Sequence, residues 1–376
     1  GCCLLCNLVC RLLLPANNTT MPIKLDTYVP EELMYSSQLS SLTFTTADDV
    51  VDIIVFDDDQ QTKMMDCRLY SYKGKVTLYD VREIVEEYMK MHGLSFMKFW
   101  VRATNRVGGA SIDVGAKVLF CSFSPNIAAP LFASRYFLTT LSAMEFDADN
   151  DVYLSAYHEK GEEIVSVYNI VYRTISGEIK AERFEERSIA GETGITDYMV
   201  CYLDIMSYVW SDDCKEMISL NFQIGNRMMI FYLREKPVEV CFSFRNAFNC
   251  WEDYYLQGST NVKTSTDKNE AICSGTIQHY DKRNKQLFEV KTAPMRTEEA
   301  EWLTQFLLSH HIFKGSNNEE QRIIIEEFTH EVTDDDAGKH KIEFTWRYAK
   351  ADKFALELPT SHNARVFTKQ FKDTFQ

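Results

Sequence analysis

The run Val238-Glu-Val-Cys-Phe-Ser-Phe-Arg245 does most to limit what this chain can become. Val238, Val240, Phe242 and Phe244 alternate with Glu239, Ser243 and Arg245, the period of two that a half-buried strand requires. A polar-aromatic corner, Asn246-Ala-Phe-Asn-Cys-Trp-Glu252, follows, and then two more strand-like runs that reach Thr292. Pro294 has no N–H for a sheet ladder and ends the second run. Thr297 reads as a helix N-cap, with Glu298, Glu299 and Glu301 in the first turn, where the helix dipole favours negative charge. Leu303, Phe306, Leu307 and His310 recur at helical spacing, so a helix is expected over 298–311. The stretch reads as a sheet with one helix packed on it.

The same alternation recurs along the chain. In Lys341-Ile-Glu-Phe-Thr-Trp-Arg-Tyr348, Ile342, Phe344, Trp346 and Tyr348 share one face. Aromatic residues make up 13% of the chain and fall largely in such runs, which favours sheet. The expected fold class is mainly β: several β-sandwich-like domains with a few short α-helices packed on sheets.

Three domains are expected after an N-terminal extension. Residues 1–20 carry Cys2, Cys3, Cys6 and Cys10 among leucines, closed by Pro15 and Asn17-Asn-Thr-Thr20. That apolar run is too short for a membrane-spanning helix, which takes about 20 residues. It reads as a signal-like remnant, an acylated tail, or an extension outside the natural product. The last is favoured, because Met21-Pro-Ile-Lys-Leu reads as a start.

Residues 21–133 read as a β-rich domain with one helix at 80–92. Asp80 and Glu83 form a capping-box pattern there, Val81, Ile84, Val85, Tyr88 and Met89 form an apolar face, and Gly93 is a left-handed stop. Ile127-Ala-Ala-Pro-Leu131 reads as a linker. Residues 134–237 read as a β-sandwich with seven strand candidates, among them 136–140 and 199–210; the segment 202–210 is alternatively a short helix. Residues 238–376 form the third domain, closed by a tail with Phe367, Phe371 and Phe375 at spacing four.

The net charge of −15 and pI near 5.1 argue against nucleic-acid binding, which needs a basic footprint. They also argue against adhesion to an anionic membrane. Seven scattered cysteines beyond the extension, an odd number, do not suggest a disulfide framework.

No P-loop, dinucleotide fingerprint, nucleophile elbow or zincin pattern occurs. No catalytic, cofactor-binding or metal-ligating set is assigned, and no cofactor is expected. His310 and His311 are adjacent and point about 100° apart on a helix, which disfavours a shared metal. His279 and His330 lie in strand-like runs. Trp210, Trp251, Tyr254 and Tyr255 are candidates for an interaction or sugar-stacking face, since aromatic rings join an apolar face to a polar edge. Core packing is the plainer reading of the same residues.

Two passages carry a resemblance. Tyr70-Ser-Tyr-Lys-Gly-Lys-Val-Thr-Leu-Tyr-Asp80-Val-Arg-Glu-Ile-Val-Glu-Glu-Tyr88 is one. The other is Phe244-Arg-Asn246 with Phe248, Trp251-Glu252, Tyr280-Asp281, Glu289-Val-Lys-Thr-Ala-Pro-Met295 and Glu299-Ala-Glu-Trp-Leu303. Together they resemble uncharacterised tail- or baseplate-associated structural proteins of phages and prophages of Bacteroides-type bacteria. The resemblance implies a virion structural role without catalytic residues, self-assembly into a homo-oligomer, and docking to other tail or baseplate proteins. It implies assembly in the bacterial cytoplasm. The alternative expectation is a surface or secreted glycan-binding β-sandwich protein; a hydrolase on a β scaffold ranks below both.

Overall fold

The structure is a computed structural model that describes residues 22–57, 62–146, 151–209, 214–234, 240–273, 275–315, 321–332 and 339–349. The extension 1–20, Trp210, the tips at 58–59 and 334–338, and the phenylalanine tail lie outside the described residues. The chain is mainly β, with several sheets and four α-helices among the described residues. It divides into two compact units. The first holds Gly1–Tyr255 and Glu301–His311; the second holds Leu256–Ala300 and Ile312–Gln376.

The first unit begins with β1 (Lys24–Leu25), β2 (Leu33–Tyr35), β3 (Leu42–Thr45), β4 (Val50–Asp57), β5 (Lys63–Tyr70), β6 (Lys75–Leu78), α1 (Val81–His92), β7 (Phe96–Asn105) and β8 (Ser111–Leu119). One sheet runs β1-β3-β6 and another runs β2-β8-β7-β4-β5. Strand β7 shows how the sequence writes its own register. Met97, Phe99, Val101 and Ala103 are buried, and their neighbours are not. Phe44 and Val76 of the small sheet share a core with Ile53, Val101 and Val118 of the large one. Gly115 leaves room for Trp100 across the ladder, because a Cβ there would stand 2.7 Å from the indole ring.

Helix α1 buries Val81, Val85 and Met89, as its spacing predicts, and ends at Gly93 with φ 65°. The Leu94 N–H closes the end on the Met89 carbonyl at 2.8 Å. The expected capping box does not form, since the Asp80 side chain makes no cap hydrogen bond. The helix is tied down through Glu86 instead, which accepts from Ser36 Oγ (2.9 Å) and Arg82 Nε (3.0 Å).

The expected linker at 127–131 enters α2 (Ala129–Arg135), with Pro130 in the first turn. A proline there loses no hydrogen bond, because the first N–H groups of a helix have no internal acceptor. The strand expected at 136–140 does not form. Phe137 and Leu138 are buried all the same, and Leu138 N–H donates to the Ser155 carbonyl at 2.8 Å.

Then follow β9 (Ala143–Phe146), β10 (Val152–His158), β11 (Glu163–Thr174), β12 (Ile179–Ile189), β13 (Gly194–Val200), α3 (Tyr202–Val209), β14 (Cys214–Ile224) and β15 (Arg227–Leu233). Their sheets run β12-β11-β14-β15-β9 and β10-β13. The segment 202–209 takes the helical alternative, with Ile205, Met206 and Val209 buried. β16 (Cys241–Arg245) and β17 (Trp251–Tyr255) pair antiparallel.

The expected boundary at 133/134 does not separate compact bodies. One buried cluster takes Leu33 and Leu119 from the first segment, Leu138 and Tyr157 from the second, and Phe248 and Cys250 from the corner. Apolar burial across all three makes them one unit.

The second unit holds β18 (Gly258–Cys273) and β19 (Thr276–Thr292), with β20 (Ile312–Lys314), β21 (Gln321–Val332) and β22 (His340–Tyr348). Adjacent strands run β20-β21-β22-β19-β18. Ile342, Phe344 and Trp346 are buried on one face of β22, as the alternation predicts. Phe288 stacks on Trp346 with ring centroids 4.0 Å apart and 8° between planes.

Helix α4 (Thr297–Leu308) is shorter than the expected 298–311. Its cap is Arg296 rather than Thr297. The Arg296 carbonyl accepts from Ala300 N–H at 3.0 Å, and Glu299 reaches back to the Arg296 N–H at 3.0 Å. Thr297 lies one residue inside, with Oγ1 3.0 Å from His340 Nε2.

Candidate functional site

The corner between β16 and β17 is built by two asparagines of the first unit. Asn246 Oδ1 accepts from the N–H groups of Phe248 (2.9 Å) and Cys250 (3.0 Å), which closes the turn from inside. Its Nδ2 donates to the Leu138 carbonyl (2.7 Å) and to Glu252 Oε1 (2.8 Å). Asn249 holds φ 59°, a region that asparagine tolerates better than most residues. Its Nδ2 donates to the Leu94 carbonyl at 2.9 Å, and its own carbonyl accepts from Arg245 Nη1 (2.7 Å) and Ser95 Oγ (2.9 Å).

Arg245 and Trp251 face each other across the strand pair, and the guanidinium lies 4.1 Å from the indole centroid. They form one wall of a cleft of about 400 Å³ that Ser95, Ser155, Asp197 and Cys250 also line. Ser155 Oγ donates to Asp197 Oδ1 at 2.5 Å. Burial lowers the Arg245 pKa, and the carboxylate of Asp197 acts the other way. Burial pushes the Cys250 thiol up to about 12, so it is no nucleophile at neutral pH.

Beneath the corner, Glu252 is buried with Trp302. The Trp302 Nε1–H and the Asn246 amide donate to its two carboxylate oxygens. Burial raises the Glu252 pKa against the opposing effect of those donors and Thr139.

A second polar group surrounds His158, which is fully buried. Its Nε2 is 2.7 Å from the Tyr198 hydroxyl and its Nδ1 is 3.2 Å from Glu162 Oε1. Arg227 Nε and Nη2 donate to the carbonyls of Ala133 (2.7 Å) and Tyr157 (2.6 Å). Burial lowers the His158 pKa, and the Arg227 cation adds to that. In the second unit, His330 Nε2 lies 2.8 Å from His340 Nδ1. No group of three or more His, Cys, Asp or Glu that could hold a metal occurs among the described residues. No helix among them is long and apolar enough to cross a membrane.

Of the four aromatic candidates three are described, and these differ in exposure. Trp251 is 39% exposed, whereas Tyr254 and Tyr255 are buried. Tyr254 packs edge-on against Trp302, at 5.8 Å between centroids. Trp210 lies outside the described residues. His310 is exposed beyond the end of α4 rather than on its apolar face. Arg245, Ser155 and Asp197 are not among the residues that the sequence singles out for a site. Arg245 was legible as the polar partner of an exposed tryptophan across a corner. Ser155 and Asp197 come from two other strands, and only their antiparallel pairing brings them opposite.

No protein-family model matches the chain, and no curated protein does. Solved structures with similarity include fibronectin(III)-like modules of CbhA from Clostridium thermocellum. That match has 8% identity and a TM-score of 0.16, over 56% of this chain and 94% of that one. Another is tripeptidyl peptidase 2, at 7% identity and a TM-score of 0.18, over 89% of this chain and 32% of that one.

Proposed function

We propose that the protein is a non-enzymatic structural component of a phage or prophage tail or baseplate, acting by self-assembly and by docking to other tail proteins. The observation that carries this reading is the β18–β19 hairpin. Its strands run 16 and 17 residues, and β19 pairs with β22 only through Phe288–Lys291. Among the described residues, the strand pairing from Lys263 outward is that of β18 with β19. At about 3.3 Å per residue the arm reaches roughly 35 Å.

A two-stranded ribbon is marginal in water by itself. Its open edges offer backbone N–H and C=O groups to another chain. Ile272 and Ile277 pair directly at its end and are 78% and 63% exposed. Apolar side chains at the end of an arm suit a contact on a neighbour.

The favoured neighbour is a second copy. Residues 258–292 carry six Lys or Arg against four Asp or Glu, a net of +2. The chain totals −15, so the remainder carries −17. A basic arm and an acidic body attract between copies. The matching apolar surface is a cavity of about 340 Å³ in the first unit, lined by Pro30, Met34, Leu39 and Phe99 among others. A tip that enters such a cavity on the next copy makes a head-to-tail contact, which closes into a ring or extends as a filament.

Particles released from an induced prophage that carries this gene, separated on a density gradient and labelled with antibody, test the reading. The expected result is co-sedimentation with tailed particles and label on the tail. Absence of the chain from purified particles would sink it.

A further inference from the structure

We propose that the cleft between Arg245, Asp197 and Trp251 binds one neutral pyranose unit of a glycan. The proposal does not rest on the tail reading. It follows from the chemistry that the cleft presents.

Arg245 brings only donors. Its guanidinium is fixed by the Asn249 carbonyl and by the indole beneath it, so its orientation is set before any ligand arrives. No carboxylate stands within ion-pair distance of it among the described residues. Asp197 brings only acceptors. Oδ1 is taken by Ser155, and no described donor takes Oδ2. Leu94, Phe96, Ile195 and the exposed part of Trp251 add apolar surface.

A simple anion would meet the charge of Asp197, and a simple cation would meet that of Arg245. A ligand that both accepts and donates hydrogen bonds along one edge, and carries a C–H face for the apolar wall, satisfies all of them. A pyranose ring with neighbouring hydroxyls is that ligand. The volume of about 400 Å³ falls in the usual range for small-ligand sites, about 300–1,000 Å³.

The cleft binds without hydrolysing. Glycoside cleavage uses two carboxyl groups on either side of the scissile bond. Among the described residues the lining carries one carboxylate, Asp197. Glu252, the next residue after Trp251, is buried on Asn246 and Trp302 and is not part of the lining.

Saturation-transfer NMR of the full chain tests the assignment. The probes are the methyl pyranosides of glucose, galactose, mannose and N-acetylglucosamine, with glucuronic acid and free alanine beside them. At least one neutral pyranoside is expected to bind. Asp197→Asn, which keeps the acceptor for Ser155, is expected to weaken that binding at least tenfold with the melting temperature unchanged. Trp251→Ala is expected to abolish the signal. Binding of no neutral pyranoside overturns the proposal. So does binding of glucuronic acid or alanine alone, or full binding by a folded Asp197→Asn variant. The oligomeric state is read separately, so failure here leaves the assembly reading to stand or fall by itself.

Discussion

The indole N–H of Trp302 donates to the carboxylate of Glu252, fifty residues earlier in the chain, and both side chains are buried. Asn246 supplies the second donor. With Thr139, three donors thus converge on one side chain whose two oxygens both accept, a match that a glutamine cannot reproduce. Glu252→Gln leaves one donor facing an NH₂ group and is expected to cost about 1–3 kcal/mol. Glu252→Ala, which strands all three donors, costs more. Urea unfolding followed by circular dichroism measures both. An unchanged midpoint for Glu252→Ala would show that the pair carries no stability.

The same residue sets a pH slope. Burial raises the Glu252 pKa in the folded state above the unfolded value of about 4.3. The folded chain therefore holds this proton more tightly. Its contribution to stability is full below the unfolded value and is lost as pH rises through the folded one. Removing it in Glu252→Gln flattens that slope, and unfolding midpoints taken from pH 4 to pH 8 report the difference.

His158 acts in the opposite sense. Burial lowers its folded pKa below the unfolded value of about 6.5. The unfolded chain then binds the proton more readily, so stability is lost as pH falls through 6.5 and below. His158→Gln is expected to be less stable at pH 7.5 by about 1–2 kcal/mol, through loss of the Tyr198 partner. It is also expected to lose less on going to pH 5.5. A variant with the wild-type acid slope would move the titrating group elsewhere.

Alternation told the strands apart well, because burial on one face has a period of two and the residues obey it. β7 and β22 are the clearest instances, and α1 was equally plain from its apolar stripe and Gly93. What was not legible has physical causes. Pro130 looked like a linker signal, yet it is at home in a first helical turn. The 136–140 run is apolar because it is buried, not because it pairs. The cap of α4 moved to Arg296 because Glu299 found a backbone N–H there, leaving Thr297 to His340. The cleft was invisible since Ser155, Asp197 and Arg245 meet only once three strands have been placed.

At the base of the hairpin, Gly258 lies so near β19 that a Cβ would stand 2.2 Å from the Lys291 carbonyl oxygen. That neighbour is backbone and cannot swing aside. Gly258→Ala is therefore expected to destabilise the second unit by about 1–3 kcal/mol through overpacking. Hydrogen exchange at the amides of residues 288–292 is expected to quicken. Unchanged protection there would mean that the arm can shift at its base without cost.

If the hairpin arm assembles copies of this chain, Ile272 and Ile277 at its end are needed for assembly. Mass photometry of the wild type beside Ile272→Asp/Ile277→Asp tests it most directly. Both side chains are exposed, so the double variant is expected to keep its unfolding midpoint within about 0.5 kcal/mol. A discrete, concentration-dependent oligomer is expected for the wild type, weakened by added salt, and a monomer for the variant. A wild type that stays monomeric at every concentration and salt, or a variant that assembles as well as the wild type, would contradict it.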